Sequence, residues 1–236
     1  LVGALGLPAL PSRTLDRLAE HTGGSPLHAR ALLHELDAEA LATGDLTPMA
    51  APRSFAELIG TQVAGLSPDA EQLVAAAAVL GMHAPVPAIA ELAGLPDPTV
   101  AVDEATNAGL VTVTARALHL ELRFSHPLTH AAVYHGIGLA RRADLHRAAA
   151  RLAQEAGDRA GDLRHRAAAV TGVDAELAAE LAAHADEERL RRSGAASAAG
   201  WYKLAARLAA ETSVREDLIL RAIECLVLAG DAAGAM

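Results

Sequence analysis

Eleven histidines, one cysteine and one lysine bound the chemistry open to this 236-residue chain. His126 and His130 are four apart, with His135 nearby, so one helix would set the first two on a shared face. Pro127 starts that helix, however, and no carboxylate completes a three-ligand zinc set, so capping or surface histidines are the plainer reading. His21, His28 and His34 lack ligand spacing and are expected to be solvated. The single Cys225 lies in the apolar run Ile223-Glu224-Cys225-Leu226-Val227-Leu228, which reads as a buried helix rather than a thiolate nucleophile. No G-x-S-x-G elbow occurs, and Asp186-Glu187-Glu188 followed by Arg189 to Arg192 reads as a solvated helix face with i,i+4 partners. No catalytic residue and no metal ligand is predicted.

Phosphate chemistry is limited in the same way. A P-loop needs G-x-x-x-x-G-K-[ST], and the only lysine, Lys203, has no glycine-rich loop before it. Gly23-Gly24-Ser25 is the one glycine-rich helix start. Its N–H groups suit an anion, although a plain turn into a helix accounts for the same residues.

The elements that must position these residues are helices. The chain is 52% hydrophobic and 2% aromatic, and about a quarter of it is alanine, the strongest helix former. Such apolar content excludes intrinsic disorder, and the length suits two or three small domains. One cysteine excludes a disulfide scaffold and fits a reducing cytosol. No apolar run approaches a membrane span, and the N-terminus does not read as a signal peptide, so a cytoplasmic location is expected. The chain starts and stops mid-pattern, as an excised piece of a longer protein would. Its net charge of −9 disfavours nonspecific binding to nucleic acid.

Along the chain, a first helix is expected from Ser12 to about Glu20 and a second after the Thr22-Gly23-Gly24-Ser25-Pro26 turn, with Ser25 as cap and Pro26 at the first helical position. Leu27, Ala31, Leu32, Leu36 and Ala40 form its apolar stripe. Residues 44–54, with Pro48 and Pro52, read as a linker. Helices follow over Phe55–Leu66 and from Ser67-Pro68 through Leu80, with Glu71 near a capping-box position. Short helices end at Gly94 and, from Pro98 to Ala108, at Gly109 as C-cap. The β-rich runs 110–114 and 118–124 pair as a hairpin, the one strand signal in the sequence. From Pro127 onward everything reads as helix. Gly194 and Gly230, 36 residues apart in similar surroundings, match the period of tetratricopeptide-type hairpins.

Three helices and a hairpin are the order of a winged-helix domain. The helix before the hairpin, Asp97 to Ala108, has three acids and no base, and 54–115 contains seven acids and no Lys or Arg. That surface repels a phosphate backbone, so this domain is expected to pack on protein rather than DNA.

The succession Thr22-Gly23-Gly24-Ser25-Pro26-Leu27, Leu66-Ser67-Pro68 with Ala77-Ala78-Val79-Leu80-Gly81, and Phe124-Ser125-His126-Pro127-Leu128 with Ala132-Val133-Tyr134 resembles large ATP-binding regulators of the LuxR type. These are STAND-class NTPases related to AAA ATPases. Arg141-Arg142-Ala143-Asp144-Leu145-His146 is similar to the family's helix after the winged domain. The resemblance covers residues 12 to about 155. It implies a mainly α architecture: a helical lid over 1–43, the linker 44–54, a winged-helix domain over 55–155 and a TPR-like helical region over 156–236. It further implies that Gly24, Ser25 and Pro26 border a bound nucleotide, with Pro26 against the adenine, and that His126 bonds the β-phosphate of ADP. This sequence has Ser25 where the family usually carries Asn, and Ser125 where Arg is frequent. The implied cofactor is ADP or ATP with Mg, held mainly by an upstream P-loop module of the same chain. The implied partners are that module, an effector at the repeats and further copies of the protein, with no DNA or membrane contact by this segment. The segment itself would not be an enzyme, whereas the parent would be an ATP-binding switch. Two rivals stay open: a helical-repeat adaptor without nucleotide, and the same module in an enzyme-linked sensor.

Overall fold

The computed structural model describes residues 12–35, 48–116, 119–191 and 194–230. Among them it is mainly helical, with twelve helices and one small antiparallel sheet. The first pair, α1 (Ser12–His21) and α2 (Pro26–Glu35), is joined by the glycine turn. Leu32 and Leu33 of α2 are buried, but Leu27 is 74% exposed, which corrects the expected stripe at its first position. Pro26 starts the helix there, and the apolar side of this short helix begins a turn later. Leu36, Ala40 and linker residues 44–47 lie outside the described residues.

Next come α3 (Arg53–Ala64) and α4 (Pro68–Leu80). The second is buried almost all round, from Ala70 to Val79, because small alanine side chains let neighbours close on every side. Ser67 caps it by accepting from the Ala70 N–H. Glu71 does not complete a capping box as expected, because it sits one residue too late and pairs with Arg141 instead. Glu104, from a different helix, bonds the Ser67 N–H.

A strand that the sequence reading did not include follows. β1 (His83–Pro85) pairs with β3 (His119–Phe124), which also pairs with β2 (Val111–Arg116), giving the order β1-β3-β2. At three residues ending in proline, β1 is too short to show alternation. The hairpin register sets Val111 opposite Phe124 and Val113 opposite Leu122. Between the strands run α5 (Val86–Ala93) and α6 (Thr99–Asn107). The cap of α6 is Ala108, with Gly109 one residue beyond it at φ +74°, a left-handed turn that suits glycine. Leu73, Ile89, Leu110, Leu122 and Phe124 centre this first core, which extends to Ala149.

The remaining helices are α7 (Pro127–Gly136), α8 (Leu139–Glu155), α9 (Arg159–Ala169), α10 (Ala175–Arg189), α11 (Ala195–Leu208) and α12 (Thr212–Leu228). A second core joins α9 to α12 through Leu163, Leu177, Leu181, Tyr202, Leu208 and Leu226. Alternate helices begin at similar intervals: Arg159 and Ala195 are 36 residues apart, Ala175 and Thr212 are 37. Gly194 precedes α11 because the Glu188 carbonyl oxygen occupies the place a Cβ would take. Asp231 to Ala235, the start of the next expected unit, lie outside the described residues. A third, small core of Leu18, Leu32, Leu33, Met49 and Leu128 fastens α1 and α2 to α7. Among the described residues no helix is long and apolar enough to cross a membrane.

Candidate functional site

The chain reverses at Thr22 because Gly23 and Gly24 adopt φ of +58° and +75°. Thr22 is fully buried and returns its hydroxyl to the Leu18 carbonyl at 2.8 Å. The N–H groups of Thr22, Gly23, Gly24 and Ser25 go to the carbonyls of Leu18, Glu20, Ala19 and Thr22 respectively. The turn therefore offers an anion none of these four donors, and the helix-start reading accounts for it. Gly24 and Pro26 are exposed and Ser25 is half-buried, its hydroxyl facing the His28 N–H at 3.4 Å.

His126 comes to this turn from more than a hundred residues away. It is the N-cap of α7, where its Nδ1 accepts the Leu128 N–H at 3.0 Å. That bond requires a bare Nδ1, so the neutral ring carries its proton on Nε2. Its Nε2 faces the glycine turn, where the Thr22 carbonyl favours a proton on the ring. A Cβ on Gly23 would stand 2.6 Å from Nε2, so this close approach also demands glycine. The four residues Gly24, Ser25, Pro26 and His126 thus lie on or against one turn. Nδ1 of His126 is engaged by the Leu128 N–H, and Nε2 stands against the turn.

Around His126 the structure gathers further rings. His28 packs edge-on to Phe55 at 5.4 Å and to His126 at 6.1 Å, and Phe55 stands 6.4 Å from His126. His21 is half-buried and bonds the Ala50 carbonyl at 3.1 Å. His130 is buried and bonds the Ala78 carbonyl at 2.9 Å, while His135 reaches the Pro48 carbonyl at 2.7 Å. Of the histidines expected in solvent or at the surface, His34 and His135 are exposed. The others are drawn in because α1, α2 and 48–52 fold onto α7, a long-range contact with no local signature. Burial pushes the His21, His126 and His130 pKa values down; for His126 the neighbouring His28 adds to this and the Thr22 carbonyl opposes it. Among the described residues no group of three or more His, Cys, Asp or Glu is placed to hold a metal ion.

A second titratable cluster lies where α7, α8 and α9 meet. The Tyr134 hydroxyl is 2.9 Å from His146 Nε2, and His146 Nδ1 is 3.0 Å from His165 Nδ1. Arg142 lies over the Tyr134 ring at 4.9 Å and donates to its carbonyl. Burial, then His165 and Arg142, push the His146 pKa down to about 4. Arg141, from the same run, ion-pairs with Glu71 of α4.

In the second core the acids after Ala185 do more than line a solvated face. Asp186 accepts the Tyr202 hydroxyl at 2.6 Å and Glu187 pairs with Arg159, so both tie α10 to neighbouring helices. Cys225 is buried, and that burial pushes its thiol pKa up, away from thiolate chemistry. No family model, curated protein or solved structure matches this chain.

Proposed function

We propose that this chain is the regulatory middle segment of a STAND-type ATP/ADP-switch transcriptional regulator, coupling nucleotide state to signal sensing and assembly. The observation that carries the reading is the seating of His126 on the turn that leads into Gly24-Ser25-Pro26. Two segments distant in sequence, each tied to a nucleotide by resemblance, meet at one point. The helix and strand order, with β1-β3-β2 pairing, supports reading 55–155 as a winged-helix domain, and the near-regular helix starts support a TPR-like array beyond it.

In this reading the exposed Pro26 and Gly24 line the base side of an ADP or ATP site completed by an upstream P-loop module with Mg. The Nε2 proton of His126 then goes to a β-phosphate oxygen, which links nucleotide state to the placing of α7. The segment is cytoplasmic, does no catalysis by itself, contacts no DNA and presents its helical array to an effector. The test is ADP affinity of the longer protein carrying the P-loop module. His126→Ala should weaken it about tenfold or more, the worth of one hydrogen bond to a charged group. Unchanged affinity would refute the role. An adaptor without nucleotide is the second reading, favoured by the capping bond that already accounts for His126 at the start of α7.

A further inference from the structure

We propose that His126 is an acid-sensitive latch that fastens the α1–α2 hairpin to α7. The bonding involved lies wholly within this chain and is the same whether or not a nucleotide binds.

Nδ1 accepts from the Leu128 N–H, while Nε2 stands against the Gly23 turn of the hairpin. Only a ring with Nδ1 bare can make that capping bond. A second proton puts an N–H on Nδ1, pointed at the N–H of Leu128, and turns an attraction into a repulsion. It also places a cation at the N-terminus of α7, the end where the helix dipole favours anions.

The neighbouring histidines differ in this respect. His21, His130 and His135 each meet a carbonyl through Nε2, a donor that survives protonation. His126 is the one whose bonding reverses. His28 of α2 stands edge-on at 6.1 Å and makes a second proton costlier. The other titratable groups nearby are His21 of α1, whose own pKa His126 lowers, and His130 on the same helix. From α3 the facing group is the uncharged Phe55.

Loss of the latch has a mechanical consequence. Leu128, whose N–H the ring receives, is also the α7 member of the small core with Leu18, Leu32, Leu33 and Met49. That core has five buried side chains with Ala29, Ala51 and Phe55 packed on them, far fewer than either larger core, so freeing the ring from Leu128 loosens the hairpin while the larger cores stay shut. Burial and His28 hold the ring neutral at neutral pH, so the latch is closed there and opens on acidification.

The experiment is hydrogen exchange of the whole chain, corrected for intrinsic exchange rates, at about pH 7.5 and about pH 5, on either side of the ordinary histidine pKa. Protection of α1–α2 should fall about tenfold or more at the lower pH, with α10–α12 little changed. His126→Asn keeps a capping side chain but does not titrate, and should remove the pH dependence of α1–α2. The same dependence in that variant, or none in the wild type, overturns the proposal. If the variant does not fold, ¹⁵N titration of the wild-type imidazoles decides. A neutral ring protonated on Nε2, titrating with the same midpoint as the loss of α1–α2 protection, supports the latch; the other tautomer or a different midpoint overturns it.

Discussion

Glu104 receives both polar hydrogens of Ser67, the backbone N–H at 2.7 Å and the hydroxyl at 2.5 Å. A capping box normally draws its acid from three residues down the same helix. Here the acid comes from α6, so the start of α4 and the middle of α6 are joined by the bonds that finish a helix end.

Removing that joint should be measurable. Ser67→Ala is expected to cost about 1 kcal/mol, as a lost N-cap does, in urea unfolding at neutral pH. Glu104→Gln should lower the melting temperature less. The Ser67 bonds hold the Glu104 pKa below the usual carboxylate value. Their contribution is therefore present above that usual value and lost as pH falls through the lowered one. The wild-type advantage over Glu104→Gln should shrink accordingly on acidification.

The Tyr134–His146–His165 cluster predicts acid sensitivity of its own. His146 has a folded-state pKa of about 4 against 6.5 for an ordinary histidine. Above the higher value neither folded nor unfolded chain is protonated there, and stability is full. Between the two, only the unfolded chain takes the proton, so stability is lost by roughly 3 kcal/mol in all. His146→Gln should flatten that part of a stability profile measured by urea unfolding at stepped pH.

Gly23 and Gly24 separate two effects of a side chain. Both have positive φ, but a Cβ at Gly23 would press on His126 while one at Gly24 would meet open space. Gly23→Ala should therefore destabilise the hairpin by about 1 kcal/mol or more, and Gly24→Ala by less. Exchange protection within α1–α2 reads the difference.

The alanine-rich cores predict opposite responses to size. Leu181→Ala, at a fully buried position of α10, should cost about 2–5 kcal/mol by opening a cavity. Ala76→Leu, in the enclosed α4, should cost about 1–3 kcal/mol or more by overfilling. Chemical denaturation of each variant checks both.

The helices were legible because their signals are local. Ser67-Pro68, Ser25-Pro26 and Gly94 mark ends in the sequence and stand at ends in the fold. The β2–β3 hairpin was legible for the same reason, whereas β1 was not, since three residues acquire strand geometry only from β3. At the candidate site, the types and capping place of His126 could be read, but not the carbonyl it would face. The burial of His21, His28 and His130 is not legible in the sequence, because their partners, Ala50, Phe55 and Ala78, are brought to them only by the tertiary fold. Glu71 and Glu104 illustrate the same limit: the nearer acid had the better spacing, and the farther one had the bond.

Trp201, the only tryptophan, sits in the α9–α12 core, edge-on to His184 at 4.6 Å and beneath Arg164. The protein thus carries one built-in fluorophore, and it watches one half of the molecule. Its emission follows the helical array and is blind to the α1–α2 hairpin and the sheet-bearing core. Helical circular dichroism, by contrast, sums over all three. Superposition of the two melting curves would mean that the α8–α9 junction transmits unfolding from one core to the other, and their separation would measure how independently the halves come apart.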